Sequence, residues 1–259
     1  MIGKILKYQL HDVLRSKWII IYSLFFFITT LVLLRFEDNT TKIFISLMNI
    51  ELFVVPLVSI IFGTTFFYNS KEYITFLLSQ PLKRKDLFIG MFLGLSLPLS
   101  FSIIISVTLP ILFLISKQNY EIILLVNITA LLLTNIFVAL SFLISVLNDD
   151  KAKGLGISIL LWLIFAFVYD GIFLLAIISF NDYPLEIPTL ILTSLNPIDL
   201  SRILILLKTD ISVLMGYTGA IFNNFFGGAI GFAISFLSLV LWAILPFSFG
   251  LKYFNKKDF

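Results

Sequence analysis

Long apolar runs alternate with short polar and basic ones along the whole chain. A helix that crosses the hydrocarbon layer needs about 20 mainly apolar residues. Six stretches reach that length: 18–34, 43–67, 87–115 (with Pro98 and Pro110 inside), 121–147, 155–179 and 225–250. A further apolar stretch, Ile187–Leu207, is interrupted by Asn196, Pro197, Asp199 and Arg202. It is too broken for a full crossing and reads as short helices dipping into the outer interface, within a loop over 180–224. A count of seven or eight spans is the alternative. Residues 1–17 carry Ile2, Leu6, Leu10 and Val13 at helical spacing, with Lys4, Lys7 and Arg15 elsewhere. That pattern predicts a helix lying on the inner membrane surface. It is too long and too amphipathic for the start of a signal peptide, and no small-residue cleavage site follows Leu34.

The longest connection on the same side is Tyr68–Asp86, YNSKEYITFLLSQPLKRKD. Its middle, Ile74–Leu78, is apolar, and Pro81 ends any helix before the basic cluster Lys83–Lys85. A short surface helix of this kind suits docking into a groove of a cytoplasmic partner. It suits anionic lipid head groups equally well.

Composition turns the pattern into a class. Hydrophobic residues make up 59% of the 259 and charged residues 13%, with a mean hydropathy of +1.07. A soluble domain carries about 25% charged residues, so a soluble enzyme is excluded. A formal charge of +3, spread as short basic clusters between apolar runs, excludes a nucleic-acid partner. With no cysteine there is neither a disulfide framework nor a thiolate metal site. The chain reads as an all-α integral membrane protein, a single domain over 1–259 with no internal repeat. Thirteen Lys and Arg fall on the side of both termini and five, Arg35, Lys42, Lys117, Arg202 and Lys208, on the other. By the positive-inside rule both termini are cytoplasmic.

Two acids lie within spans, Glu51 and Asp170, each roughly 12–14 Å below the outer end. A charged acid at mid-membrane costs about 2.5–3.5 kcal/mol on insertion scales. Either both line an outward-facing vestibule, or each is a protonated or hydrogen-bonded acid near the interface. Asn127, Thr134, Ser141 and Asn148 recur every seven residues in the fourth span and share one face, which must meet protein or water. Glu51, Asp170, Asn127 and Thr134 are the candidate translocation path, with helix packing the alternative for the stripe. Gly90 with Gly94, and Gly227, Gly231 and Ser235, have the spacing of close helix approach. An intramembrane enzyme built on Glu51 and Asp170 is the competing class. Against it, the chain has no H-E-x-x-H and no nucleophile set beside a base. His11 falls on the surface helix, and Met48, Met91 and Met215 fall in three distant regions, which is not the clustered soft-donor set that copper(I) wants.

One string carries a family resemblance. Glu72, then Phe76–Leu78, Ser79, Pro81, Leu82 and Arg84, then Phe88, Gly90 and Gly94 resembles the permease subunits of type-2 ABC exporters. The family's Gly-Thr pair after the acid is replaced by Tyr73 and Ile74, and its Lys after the first glycine is Met91. The six-span layout, the amphipathic start and the broken segment before the last span also look like that family. A second block, Asn196–Arg202 followed by Met215–Ala220, together with Asn69–Tyr73, resembles the permeases that serve maturation of the copper–sulfur centre of nitrous-oxide reductase. The resemblance implies a homodimer in the bacterial inner membrane, driven by two copies of a cytoplasmic ABC ATPase that binds ATP and Mg. No cofactor is expected on this chain, which has no G-x-x-x-x-G-K-[ST] phosphate loop. It implies ATPase coupling through Glu72, Tyr73, Phe76, Leu77, Pro81 and Arg84. It also implies a periplasmic partner met by the loop bearing Asn196, Pro197, Asp199 and Arg202. The implied cargo is a sulfur-containing species, or the movement itself passed on to that partner. A lipid, drug or ion cargo is the alternative within the family, and a signalling anchor that carries no cargo is another.

Overall fold

The computed structural model describes residues 2–114, 120–179, 186–206 and 229–257. Among these the chain is helical throughout, and six helices are long and apolar enough to cross a membrane. Helix α1 (Ile2–Leu14) is followed by α2 (Lys17–Phe36), α3 (Thr40–Asn69), the short α4 (Lys71–Leu78), α5 (Arg84–Leu114) and α6 (Tyr120–Leu147). The fifth crossing is composite: α7 (Lys151–Leu163), a π-helical turn over Ile164–Val168, and α8 (Tyr169–Ser179). Two short helices, α9 (Glu186–Ser194) and α10 (Pro197–Leu206), precede α11 (Ala229–Lys256).

The helices start earlier than their apolar runs because capping groups, not hydropathy, fix their ends. Asn39 Oδ1 accepts from the backbone N–H groups of Thr41 and Lys42 at 3.0 and 3.4 Å, so α3 begins at Thr40. Asp150 Oδ1 accepts from the Lys153 N–H at 2.7 Å and starts α7 at Lys151, ahead of the expected 155. At the chain's far end α11 runs past 250 to Lys256.

Spans two, three and four form the centre, with 56%, 67% and 78% of their most apolar windows buried, while spans one, five and six have 22%, 6% and 17%. The outer three therefore present apolar faces to whatever surrounds the bundle. Glycine sets the closest crossing. A Cβ on Gly63 of α3 would lie 1.8 Å from the Ser141 hydroxyl of α6, so only hydrogen fits between those helices. The polar stripe of the fourth span accordingly meets protein. Ser141 faces Gly63, Asn127 donates to the Thr108 hydroxyl of α5 at 3.0 Å, and Thr134 is buried and bonded to its own helix at Ala130.

Two expectations are corrected. The face by which α1 packs is centred on Ile5, Gln9 and Val13; of the expected stripe of Ile2, Leu6, Leu10 and Val13, Val13 is buried while Leu6 and Leu10 are only half-buried. It lies against α5, where a Cβ on Gly94 would come within 2.5 Å of Gln9. The helix is thus bolted to the third span as well as amphipathic. The broken segment also goes deeper than an interface. The Trp242 indole donates to the Ser194 carbonyl at 3.1 Å, and Asn196 Nδ2 donates to the Phe165 carbonyl at 3.0 Å. Trp242 lies fourteen residues from the end of α11, and Phe165 fourteen from the start of α7. Both contacts hold the α9–α10 turn about 21 Å from one rim of the bundle, inside rather than at the edge of a hydrocarbon layer about 30 Å thick. The pair is a re-entrant hairpin.

Candidate functional site

The rim that carries the chain termini and most of the basic residues is built around α4. Its helix starts one residue after α3 ends, and the Ser70 N–H still bonds the carbonyls of Phe66 and Phe67. A kink at that single residue turns the chain out of the bundle axis. Ile74 is buried beneath α4 and anchors it. Tyr73 stacks on Tyr8 of α1, with ring centroids 5.6 Å apart and planes at 14°. Burial between the two helices, and then the Tyr8 phenol, hold the Tyr73 hydroxyl above its ordinary range, while Gln9 pulls the other way. On the opposite side Glu72, Thr75, Phe76, Ser79, Gln80 and Pro81 are exposed, Phe76 by 62%.

A mesh of polar contacts ties α4 to distant parts of the sequence. Lys71 Nζ donates to the Asp149 carbonyl at 2.6 Å and sits 4.8 Å from the centre of the Tyr68 ring. The Tyr68 hydroxyl donates to the Asn148 carbonyl at 2.8 Å, over a Gly154 whose Cβ would lie 2.1 Å from it. Lys151 Nζ donates to Asn69 Oδ1 at 2.8 Å. Lys257, beyond α11, pairs with the Asp149 carboxylate at 2.6 Å and donates to the Val146 carbonyl at 2.6 Å. Its hydrogen bond and charge hold Asp149 below the ordinary carboxylate range. Arg84, at the start of α5, donates to the carbonyls of Asn255 and Lys257, satisfying groups that a helix C-terminus leaves open.

Beneath this mesh lies an aromatic cluster shared by four spans. Phe88 lies 5.6 Å from Phe142 and 5.2 Å from Phe254, Phe67 lies 5.4 Å from Phe142, and Phe92 lies 4.7 Å from Phe247. The two edge-on pairs with Phe142 add about 0.5–1.5 kcal/mol each beyond burial. A push on α4 is therefore received by a stiff layer joining spans two, three, four and six.

The expected coupling residues divide accordingly. Glu72, Phe76 and Pro81 are presented outward, while Tyr73 and Leu77 are half-buried against the bundle. Arg84 is occupied with the C-terminal tail and serves to hold it. Lys71, Tyr68, Asp149, Lys151 and Lys257 were not singled out from the sequence. Their partners lie 78 to 111 residues away, a separation that local motifs do not bridge.

A second polar centre surrounds the re-entrant hairpin. Arg202 Nη1 lies 3.0 Å from Asp199 Oδ1 and 3.3 Å from Asp170 Oδ2. Asn196 Nδ2 is 2.8 Å from the other Asp199 oxygen, and Asn196 Oδ1 accepts from the Ile198 N–H at 3.0 Å. The Tyr169 hydroxyl donates to the Leu192 carbonyl. The π-helical turn matters here, because it shifts the backbone register at the carbonyl, Phe165, that Asn196 takes. Asn196 and Pro197 are buried, and Asp199 and Arg202 are engaged within the hairpin. Of the four residues expected to meet an outside partner, Asn196 and Arg202 fasten the hairpin to span five, Asp199 joins these two, and Pro197 is buried. Met215–Ala220, Lys117, Lys208 and Gly227 lie outside the described residues.

Of the candidate path residues, Asp170, Asn127 and Thr134 have partners within the bundle. Glu51 is 1% exposed, with no hydrogen-bond partner for either carboxylate oxygen among the described residues. Neither a cavity of about 610 Å³ beside the inner end of α3 nor one of about 420 Å³ between α6 and α11 is lined by any of the four. Met48 and Met91 are buried separately in the apolar core.

The structure is thus a six-span helical bundle with a short helix slung outward between spans two and three, and the sequence comparisons give its class. The profile of the ABC-2 family transporter proteins matches residues 35–259, and the chain belongs to that family. It is 27% identical to a protein of Pseudomonas aeruginosa described as "Probable ABC transporter permease protein NosY", over 99% of this chain and 98% of that one. A protein of Stutzerimonas stutzeri with the same description is 25% identical over 78% of this chain and 80% of its own.

Proposed function

We propose that the chain is the membrane-embedded half of an ATP-driven transporter, with the basic rim and both termini facing the cytoplasm of a bacterium. A second copy completes the permease. Two copies of a separate, NosF-like ABC ATPase bind ATP and Mg and push on α4. The observation that carries this reading is Phe76, a large aromatic held 62% exposed on a helix whose other side is fixed by Ile74 and Tyr73. An exposed aromatic on a rigid mount is the form an interface anchor takes. The thirteen-to-five bias of Lys and Arg supports the orientation.

Near-full-length similarity to NosY-described permeases supports a finer reading, service to the copper–sulfur centre of nitrous-oxide reductase. The cargo is then a sulfur-containing species, or the movement itself passed to a NosD-like periplasmic partner. Asn196, Asp199 and Arg202 set the hairpin whose outer end meets that partner, and they do not touch it. Glu51 is the polar group left for the path. The test is reconstitution with a cognate ABC ATPase. Phe76→Asp abolishes permease-dependent ATP hydrolysis and leaves thermal unfolding of the permease unchanged, whereas unaltered hydrolysis in that variant rejects the proposal.

A further inference from the structure

The cavity of about 610 Å³ at the basic rim borders the polar mesh around α4 only through Asn69, whose Oδ1 accepts from Lys151. One wall is the turn from α1 into α2, the other the last turns of α3, and Leu95 of α5 closes it. Its two ends differ in chemistry. Asn69 is the final residue of α3, and Asp12 and Arg15 precede α2, so these three lie at the rim. Ile61, eight residues before Asn69, lies about 12 Å deeper, and there the lining is Ile19, Phe62 and Phe66. Polar at the head-group level and apolar below is the polarity of a phospholipid.

Three observations narrow the occupant. Trp18 borders the cavity, is 64% exposed, and meets Phe62 edge-on with centroids 6.2 Å apart. Indoles favour the head-group level of a bilayer. The side chains of Asp12 and Arg15 form no ion pair or hydrogen bond among the described residues, so both charges remain available to a ligand. They are of opposite sign and three residues apart, Asp12 in the last turn of α1 and Arg15 in the turn just beyond it. A phosphate beside a primary ammonium matches that pair. A choline head group has no N–H to give Asp12, and a glycerol head group has no positive charge.

We propose that this cavity binds one ethanolamine phospholipid from the leaflet meeting the basic rim, its phosphate on Arg15 and its ammonium on Asp12. The site is independent of the transport reading and stands whatever the cargo is. The test is native mass spectrometry of the full-length, delipidated chain titrated separately with dioleoyl phosphatidylethanolamine, phosphatidylcholine and phosphatidylglycerol. One ethanolamine lipid is retained per chain, with a preference over choline on the order of tenfold, as a charge-assisted hydrogen bond provides. Asp12→Ala removes that preference, Arg15→Gln weakens all three lipids, and Thr65→Trp, which fills the cavity, displaces the retained molecule. Equal retention of ethanolamine and choline lipids, a preference for the glycerol lipid, or a preference that survives Asp12→Ala overturns the proposal.

Discussion

At Gly63 the distance between two central helices is set by the absence of a single carbon. A Cβ there would meet Ser141 Oγ at 1.8 Å and Ser141 Cβ at 2.8 Å, so Gly63→Ala forces α3 and α6 apart. Overpacking of this kind costs about 1–3 kcal/mol, which lowers the thermal midpoint of the purified chain, and Ser141→Gly in the same chain restores part of it. Asp149 is the other residue with a consequence of its own. Its carboxyl is held below the ordinary range by Lys257, so the contact contributes in full above the pKa of an unfolded aspartate. The contribution is lost as pH falls through the depressed folded value. The protection factors for amide exchange at the C-terminal end of α11, taken relative to intrinsic exchange at each pH, therefore fall on acidification through that value, and Asp149→Asn shows the lower protection already at neutral pH. Neither residue was legible as such. Ser141 was visible as part of a polar stripe, but which helix it faced depends on how α6 is rotated, and apolar span sequences leave that rotation open.

Among the elements, the spans were the easiest to read and the re-entrant hairpin the hardest. Spans announce themselves because every lipid-exposed backbone group must be satisfied within the helix, which demands long apolar runs. The hairpin breaks that pattern with Asn196, Pro197, Asp199 and Arg202, and on sequence alone a broken run looks superficial. Its depth comes from partners on other elements: the Phe165 carbonyl in the π-helical turn, Asp170, and the Trp242 indole. Asn196→Ala strips the hairpin of its bonds to Phe165 and Asp199 and leaves buried polar groups unpaired, at about 1–3 kcal/mol. A cysteine placed in α9 then becomes accessible to water-soluble maleimide, while the same cysteine in the unaltered chain stays protected. Helix α1 gives a similar lesson. Its amphipathicity was plain, but its tight seat on Gly94 required a groove on α5 that periodicity does not reveal.

Across the whole molecule, a stiff central trio is flanked by three spans with little burial, and one short helix projects from the basic rim. The aromatic layer and the Lys71–Asp149–Lys257 mesh join that helix to both halves of the chain, so its displacement is felt by the bundle as a unit. The position of this helix was legible because a proline and a basic cluster mark its end. The mesh was not, since it links residues far apart in sequence. Breaking it by Lys71→Ala leaves ATPase binding intact and uncouples hydrolysis from transport in proteoliposomes. The central claim is that α4 receives work from a separate nucleotide-hydrolysing subunit, and it is tested most directly by placing a photoreactive phenylalanine analogue at position 76 in living cells. The account predicts a cross-link to a protein identified by its phosphate-binding loop, lost when that subunit is deleted together with transport. Transport that persists after the deletion, with no such cross-link formed, contradicts it.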